Sequence, residues 1–421
     1  MNNDKKRSLE FVRGLFRNYY EAMGNKIYQP SKFENREFGY MPFHQKIMIR
    51  HLRFRNLDEL LKVLKREAPM HVYRSAAIYH LPTAPMEEKG WLGAELIFDI
   101  DADHLELPCK KEHDFNYCNS CFEILKPDEE ICMNCNSGEI TEVEWVCGKC
   151  ITAARDELLK LLSFLEGDFG LNPDNMTITF SGNRGYHVAV HEDKILRLNR
   201  EARQEIAEYI TASHLDIKAY GLSENLRPLH DLPDYIDPGW KGRIAKSTYQ
   251  ILARINSGDE ETINKLKETL PEENIQNLGE LLYEWSEKPQ WSLLNLKTHS
   301  RGGKRINQLS VLVSLALQIS RSQIDTVVTT DIHRLLRLAN TLNGKTGLLA
   351  GVIKYDSIED IEPFEQFLVL PKTPEVKVKV VNAPEFQLGG RRYGPYSREV
   401  VKLPANIAAY LICKETAILA S

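Results

Sequence analysis

The sequence predicts a mixed α/β (α+β) fold that carries a cysteine-rich insertion. Apolar residues recur at helical spacing in some segments and alternate with polar residues in others, which predicts both helices and strands. Seven of the eight cysteines lie between Cys109 and Cys150, which predicts a compact metal-binding insertion. With 421 residues, 43% of them hydrophobic, the chain is long enough for one large domain with insertions or for two domains.

The individual elements follow from these periodicities. Helical spacing of apolar residues predicts helices over 8–23, 57–65, 152–166, 308–320 and 327–337. Alternation and short apolar runs predict strands over 72–80, 94–100, 176–181 and 186–190, a hairpin within 36–54, and strands with turn prolines in 367–381.

The pattern changes character in the middle of the chain. Residues 197–294 are polar, charged and helical in pattern, and several prolines interrupt them. We therefore expect a helical subdomain at 196–296, inserted between a first part at 1–195 and a second part at 297–421. The first part itself contains the cysteine-rich insertion, at 105–150.

Composition and charge restrict the function classes. The start of the chain is polar where a signal peptide needs an apolar region, and no apolar run reaches the roughly 18–20 residues of a membrane span. We expect a cytoplasmic protein that has no membrane contact. A net charge of −5 argues against nonspecific coating of nucleic acid, although it allows a local basic channel.

Two carboxylates end a predicted buried strand. Asp99 and Asp101 follow the apolar residues 96–98, and on a strand they project from the same face, about 7 Å apart. Oxygen ligands at this separation suit hard divalent cations. The same Asp-x-Asp pattern occurs in phosphatases that form an aspartyl-phosphate, but those usually have Thr or Val at the position of Asp103.

The second motif is a glycine-flanked turn between two predicted strands, Ser181-Gly-Asn-Arg-Gly-Tyr-His187. The turn exposes backbone N–H groups and brings Ser181, Arg184 and His187 together. The planar guanidinium of Arg184 suits phosphate oxygens. The plainer interpretation is a hairpin that contains a histidine by chance.

A third motif begins at Asp325. The predicted basic amphipathic helix 327–337 follows it and ends at Arg337, and a Gly-Lys-Thr-Gly turn occupies residues 344–347. The composition of this segment alone is equally consistent with a surface helix and a loop.

Taken together, the three motifs resemble the archaeal and eukaryotic DNA primase small subunit. The segments 36–39 (Arg-Glu-Phe-Gly) and 49–50 (Ile-Arg) match the N-terminal signature of that family. The resemblance extends from about residue 8 to about residue 355, while the inserted helices and the C-terminal residues carry little of it.

The resemblance implies a modified RNA-recognition-motif-like catalytic core that makes primers for DNA replication from nucleoside triphosphates. In that family three acids hold the catalytic Mg²⁺ or Mn²⁺ ions, and they correspond to Asp99, Asp101 and Asp325. The residues that match triphosphate-binding positions are Ser181, Arg184, His187, Arg337, Arg50, Glu37 and Lys345. The chain departs from the family at Asn343, where archaeal members commonly carry histidine.

The family also implies partners. Such small subunits work with a primase large subunit, and they bind a single-stranded DNA template, the RNA or DNA primer and nucleoside triphosphates. The same resemblance leads us to expect an association with the nucleoid.

The cysteines predict zinc. Cys118, Cys121, Cys132 and Cys135 form two Cys-x-x-Cys knuckles with the spacing of a zinc ribbon. The remaining candidates, Cys109, His113, Cys147 and Cys150, match the zinc knuckle of primase small subunits, so the resemblance implies a second zinc ion. A single site with spare cysteines and an iron–sulfur cluster are the alternatives.

Three other functions are weighed against primer synthesis. A repair or translesion polymerase of the same superfamily shares the catalytic motifs, but its compact core generally lacks the cysteine window. A metal-dependent phosphatase explains only the first motif. A zinc-ribbon scaffold without catalysis gives no reason for Asp325 and Arg337.

Overall fold

The computed structural model describes residues 3–45, 47–125, 129–222, 232–300 and 303–420. Part of the predicted helical subdomain, at 223–231, and part of the predicted cysteine-rich insertion, at 126–128, lie outside the described residues. Within the described ranges helices and antiparallel sheets are both abundant. The mixed α/β class is therefore confirmed.

The helices, in chain order, are α1 Asn3–Met23, α2 Leu57–Glu67, α3 Lys110–His113, α4 Gly148–Gly167, α5 Asp193–Leu196, α6 Arg200–Ile210, α7 Gly239–Asn256, α8 Glu260–Lys267, α9 Glu272–Glu280, α10 Leu282–Trp285, α11 Trp291–Leu294, α12 Gln308–Ser320, α13 Thr326–Thr330, α14 Pro363–Gln366 and α15 Ala405–Cys413.

The strands are β1 Phe38–Met41, β2 Ile49–Leu52, β3 His71–Ser75, β4 Ala77–Tyr79, β5 Trp91–Ala94, β6 Leu96–Asp101, β7 Phe115–Cys118, β8 Ile124–Leu125, β9 Ile140–Val143, β10 Met176–Phe180, β11 Gly185–Val190, β12 Lys297–His299, β13 Arg305–Asn307, β14 Leu335–Arg337, β15 Thr341–Leu342, β16 Leu349–Ala350, β17 Val352–Ile353, β18 Glu375–Ala383, β19 Phe386–Leu388, β20 Arg391–Tyr393, β21 Tyr396–Pro404 and β22 Ala417–Leu419.

Two four-stranded antiparallel sheets carry the three motifs of the sequence. The first sheet has the order β14-β3-β1-β2, and the second has the order β17-β10-β11-β6. In the second sheet Asp99 lies opposite His187, and Asp101 lies opposite Gly185. This register places the predicted carboxylates beside the glycine-flanked turn.

Most predicted elements in this part of the chain are confirmed. The helices predicted at 8–23, 57–65, 152–166 and 308–320 correspond to α1, α2, α4 and α12, and the predicted hairpin is β1–β2. The strand predicted at 72–80 is divided at Ala76 into β3 and β4, which pair in different sheets.

The helix predicted over 327–337 is wrong. Only α13 is helical there, and residues 335–337 form β14, which pairs with β3 in the first sheet. Leu336 packs against a buried cluster that includes Ile97 and Val328. Strand pairing and this apolar contact override the helical spacing of the local sequence.

The described contacts divide the chain into two compact units. The first comprises Met1–Leu158, Asn172–Gln204 and Gln323–Ser421, and the second comprises Leu159–Leu171 and Glu205–Ser322. In the second unit, α7 packs against α9 and α12, and the buried Trp285 and Trp291 rings lie 4.9 Å apart. The domain boundaries given above, at residues 195 and 296, stay a prediction.

A buried ion cluster lies where β3 leads into β4 and β5 leads into β6. Glu95 is fully buried and accepts hydrogen bonds from Arg74 and from Arg36, whose Nη2 lies 2.7 Å from Glu95 Oε1. Burial raises the pKa of Glu95, but Arg74 and Arg36 outweigh it and lower the pKa to about 2. The paired charges connect the first sheet to the chain just before β6.

Among the described residues, no helix combines the length and the apolar character that a bilayer span requires.

Candidate active site and cysteine clusters

One cavity in the first unit collects most of the predicted site residues. It has a volume of about 200 Å³ and is lined by residues of β6, β11, β14 and the turns that follow β10 and β15. The predicted residues that line it are Asp99, Asp101, Ser181, Arg184, His187, Arg337 and Lys345.

The carboxylates of Asp99 and Asp101 lie on one face of β6. Opposite Asp101 stands Gly185, where an added Cβ would lie only 2.0 Å from the carbonyl oxygen of Ile100. A side chain is therefore excluded beside Asp101. Burial raises the pKa of Asp99 above its usual range, and the nearby carboxylates of Asp101 and Asp325 add to this effect, although His187 opposes it. Three carboxyl groups this close together are compatible with a bound cation.

Asp325 is held next to the same strand. Its backbone N–H donates to the Asp99 carbonyl oxygen at 2.9 Å. Its carboxylate caps α13, because Oδ1 accepts from the N–H groups of Val327 and Val328 at 2.9 and 3.2 Å. Asp325 is close enough to affect the charge state of Asp99, but it is not among the residues that line the cavity.

His187 faces Asp99 across the sheet, with its Nε2 3.3 Å from Asp99 Oδ1. Burial lowers the pKa of His187, and the attraction of Asp99 offsets this only in part. The buried Nδ1 has no hydrogen-bond partner among the described residues. His187 therefore lines the cavity as a neutral imidazole with one buried ring nitrogen unpaired among the described residues.

Arg184 contacts three carboxylates. Its Nη1 donates to Glu144, and its Nη2 donates to Asp103 Oδ2 at 2.9 Å. Its Nε lies 2.8 Å from Asp101 Oδ1. This last contact is a close ion pair rather than an aligned hydrogen bond, because Nε has no hydrogen-bond partner among the described residues.

The turn that carries Arg184 is braced by the segment at 343–347. Ser181 Oγ accepts from the Gly185 N–H at 3.1 Å, and the Asn343 amide donates to the Ser181 carbonyl oxygen at 2.9 Å. Asn343 Oδ1 also accepts from the Lys345 N–H at 2.9 Å. Gly182 has a φ of 76°, and an added Cβ would lie 2.8 Å from the Cβ of Asn343. Asn343 thus connects the turn at 181–187 with the segment at 343–347 through neutral hydrogen bonds.

Arg337 closes the cavity from the first sheet. Its guanidinium lies 5.3 Å from the centre of the Tyr73 ring, and its Nη1 is 2.7 Å from His71 Nδ1. Burial, with the charges of Arg337 and Lys345, lowers the pKa of His71 to about 2. His71 is therefore neutral, and its ring nitrogen accepts a hydrogen bond from Arg337.

Arg50 and Glu37 lie further along the first sheet and are not among the residues that line the cavity. Glu37 is fully buried and pairs with Lys89 and with Arg50, whose Nε lies 3.1 Å from Glu37 Oε1. Arg337 pairs with Tyr73, which pairs with Gly39. An added Cβ at Gly39 would lie 3.7 Å from Arg50 Cγ. The Cβ direction of Gly39 thus points toward Arg50, which places Arg50 on the same sheet face as Arg337.

The ribbon cysteines form one cluster. The Sγ atoms of Cys118 and Cys135 lie 3.4 Å apart, and those of Cys121 and Cys132 lie 3.5 Å apart. All four fall within 4.8 Å of one another. Tetrahedral Zn²⁺ at a Zn–S distance of about 2.3 Å separates its sulfur ligands by about 3.8 Å. The cluster is therefore compatible with zinc.

A second cluster consists of Cys109, His113, Cys147 and Cys150. The Cys150 Sγ lies 3.7 Å from the Sγ atoms of both other cysteines and 3.4 Å from His113 Nε2. His113 Nδ1 contacts Asp114 Oδ1 at 2.8 Å, which orients Nε2 toward the sulfur atoms. The two groups match the two predicted ligand sets, in contrast to a single site with spare cysteines.

The comparisons with known proteins agree with this geometry. A family profile described as DNA primase small subunit matches residues 141–355. A protein of Cenarchaeum symbiosum named DNA primase small subunit PriS is 33% identical over 408 residues, which cover 95% of each chain. The protein of the same name from Nitrosopumilus maritimus is 31% identical and covers 98% of this chain and 99% of its own length. That of Thermoplasma acidophilum is 32% identical over 84% of this chain and 82% of its own.

The chain belongs to the DNA primase small-subunit family. The family and the enzyme class predicted from the sequence are thereby confirmed. The comparisons give no support to a repair polymerase, a phosphatase or a scaffold without catalysis.

Two residues of the site, Tyr73 and Glu144, belong to no motif that the sequence analysis identified. Tyr73 lines the cavity, and Glu144 contacts Arg184. Glu144 lies forty residues before Arg184 in an acidic stretch, so only the fold brings the two together. Asp103 had a local signal, because it follows Asp99 and Asp101 with the same spacing of two.

Proposed function

We propose that this chain synthesises primers on single-stranded DNA by metal-dependent nucleotidyl transfer, with the reaction taking place in the cavity between β6 and β14. The observation that carries the proposal is the arrangement of charge in that cavity. Asp99 and Asp101 lie on one strand, and Arg337 and Lys345 contribute cations to the same cavity. A metal–triphosphate complex needs both kinds of group.

The carboxylates of Asp99, Asp101 and Asp325 are proposed to hold Mg²⁺ or Mn²⁺. The raised pKa of Asp99 supports this role, since a cation relieves the repulsion among the three acids. When bound, divalent cations supply activation of the attacking 3′-hydroxyl and stabilisation of the leaving pyrophosphate. Asp325 has its Oδ2 outside the helix cap, and this oxygen is the one available to a cation.

The triphosphate is proposed to bind along Ser181, Arg184, His187, Arg337 and Lys345. The neutral His71 accepts a hydrogen bond from Arg337 without adding a competing positive charge, and Arg337 retains further N–H groups for phosphate oxygens. His187 offers a neutral ring beside the acids. Arg184 must exchange at least part of its carboxylate contacts for phosphate contacts when a nucleotide binds.

Arg50 is proposed as the outer member of the same binding surface, and Glu37 as its support. The row Arg337, Tyr73, Gly39 and Arg50 on one sheet face supports this assignment. The two antiparallel sheets that supply these residues are the proposed RNA-recognition-motif-like core.

Both cysteine clusters are proposed to bind structural Zn²⁺, the ribbon through four thiolates and the second cluster through three thiolates and His113. The donor set supports this, because four closed ligands leave no open coordination position for catalysis.

The printed names of the relatives describe small subunits, so we propose that this chain works in a heterodimer with a primase large subunit. Its other proposed partners are the DNA template, the growing primer and nucleoside triphosphates.

Primer synthesis from labelled nucleotides on single-stranded DNA tests the proposed function. We expect labelled oligomers in the presence of Mg²⁺ or Mn²⁺, both with the chain alone and, in larger amount, with a co-expressed large subunit. Chelation of the divalent cations should abolish the product. No product under either condition would refute the proposal.

A further inference from the structure

The guanidinium of Arg184 contacts three carboxylates. Asp101 ends β6, Asp103 lies in the turn after it, and Glu144 follows β9 and precedes Cys147 of the second cysteine cluster. The hydrogen bonds of Arg184 go to Glu144 and Asp103, whereas its Nε is close to Asp101 at 2.8 Å without an aligned hydrogen bond. Glu144 and Asp103 therefore determine the orientation of the guanidinium.

This orientation matters for Asp101, which is also a proposed ligand of the divalent cation. A guanidinium and a metal ion compete for the same carboxylate, because each is stabilised by its negative charge. An Arg184 that hydrogen-bonds to Glu144 and Asp103 is a weaker competitor than one that hydrogen-bonds to Asp101 directly.

The position of Glu144 is fixed by its neighbours in the first unit. The N–H of Trp145 donates to Asp114 Oδ1 at 2.8 Å, and Lys414 Nζ donates to the Glu144 carbonyl oxygen at 3.2 Å. The buried Trp145 ring packs 5.4 Å from the Phe386 ring. Asp114 in turn contacts His113 of the second cysteine cluster. The backbone at Glu144 is therefore anchored, and its carboxylate is directed at Arg184.

We propose that Glu144 is a positioning residue that holds Arg184 in an orientation in which a divalent cation can take Asp101. The inference rests on the proposed function in one respect, namely that Asp101 binds the catalytic cation. Without Glu144 the freed guanidinium turns toward Asp101 and hydrogen-bonds to it, and the cation then has to displace it.

Titration of the full-length chain with Mn²⁺ in the absence of nucleotide tests this inference by calorimetry. We expect Glu144→Ala to weaken Mn²⁺ binding by roughly two- to fivefold, the range of an exposed charge pair. Glu144→Gln, which keeps the side-chain size, should change the affinity in the same direction. Zinc content and melting temperature, measured on the same samples, should be unchanged, because the Glu144 side chain is 49% exposed.

Glu142→Ala is the matched control. It removes the same charge two residues away, from an exposed position on β9. It should leave Mn²⁺ affinity nearly unchanged. An Arg184→Ala background provides the second control, since in it the Glu144→Ala substitution should have no further effect on Mn²⁺ binding.

If Glu144→Ala and Glu142→Ala weaken Mn²⁺ binding equally, the inference is overturned, because the loss of any negative charge nearby would then explain the effect. An unchanged Mn²⁺ affinity of the Glu144→Ala protein would overturn it as well. So would a Glu144→Ala effect on Mn²⁺ affinity that is equally large with and without Arg184. These failures leave the proposed function intact. A wild-type chain that binds no Mn²⁺ and makes no primers would instead refute the proposed function itself.

Discussion

Arg184 shows what the sequence reveals about a single residue and what it does not. Its place in the glycine-flanked turn predicted a role at a phosphate site, and it does line the cavity with the acids. Its three carboxylate partners were not predicted together. Glu144 is distant in sequence and lies on a loop that a hydrogen bond from the Trp145 N–H to Asp114 anchors.

Replacing Arg184 separates binding from chemistry. A guanidinium–phosphate contact is worth roughly 1.5–3 kcal/mol, so Arg184→Ala should raise the KM for nucleotide by about 10- to 100-fold if the contact is equally strong in ground and transition states. Affinity for single-stranded DNA should barely change. Steady-state kinetics and DNA binding on one sample measure both quantities.

Arg55→Ala is a suitable control for this substitution, because the Arg55 side chain is 81% exposed and lies outside the cavity. It should change neither the KM nor DNA affinity. If Arg184→Ala lowers only the melting temperature and leaves nucleotide binding unchanged, Arg184 does no more than stabilise the hairpin and the triphosphate assignment fails.

The role of Asn343 is likewise visible only in the structure. The sequence showed only that it replaces a histidine common in archaeal members of the family. In the structure the residue is 2% exposed and its amide hydrogen-bonds to the turn at Ser181 and to the backbone at Lys345. Its side-chain partners are backbone groups, whose positions no local pattern reveals.

Among the elements, local periodicity predicted helices well where one face is buried along their whole length. It failed at 327–337, because Leu335–Arg337 pair with β3 and Leu336 joins the cluster with Ile97. A three-residue strand has too few residues for a recognisable alternation. The error matters for the site, since it is the strand, not a helix, that places Arg337 over Tyr73.

The two cysteine clusters lead to a prediction of the zinc content. The purified chain should contain two zinc ions, one for each cluster, as measured by elemental analysis. One zinc, or iron in its place, would refute the two-site account.

The two clusters should differ in their effect on the catalytic core. Replacing Cys132 and Cys135 by Ser should remove one zinc and melt the ribbon, while nucleotide binding is largely retained, because the ribbon is an insertion. Replacing Cys147 and Cys150 should do more damage, since Cys150 lies in the first turn of α4 and Asp114 beside His113 anchors the chain at Trp145. Thermal unfolding and nucleotide affinity distinguish these results, and equal damage from both pairs would contradict the assignment.

For the molecule as a whole, the sequence predicted the mixed α/β class, the family and the two groups of cysteine and histidine residues that the fold brings together. These depend on short-range patterns and on spacing. The register that sets Asp99 opposite His187, and the connection of the sheets through Glu95, depend on contacts between distant segments. Such contacts are determined by the packing of the complete chain, so no local pattern predicts them.

The proposed function depends on Asp99, Asp101 and Asp325, which are proposed to hold the cations that drive nucleotide incorporation. Incorporation of labelled nucleotide on a primed single-stranded template by Asp101→Ala, with Glu106→Ala as an exposed acidic control, tests it most directly. The account predicts a loss of on the order of 10³-fold or more for Asp101→Ala at an unchanged melting temperature, and normal activity for Glu106→Ala. Near-normal incorporation by a folded Asp101→Ala protein would contradict the account.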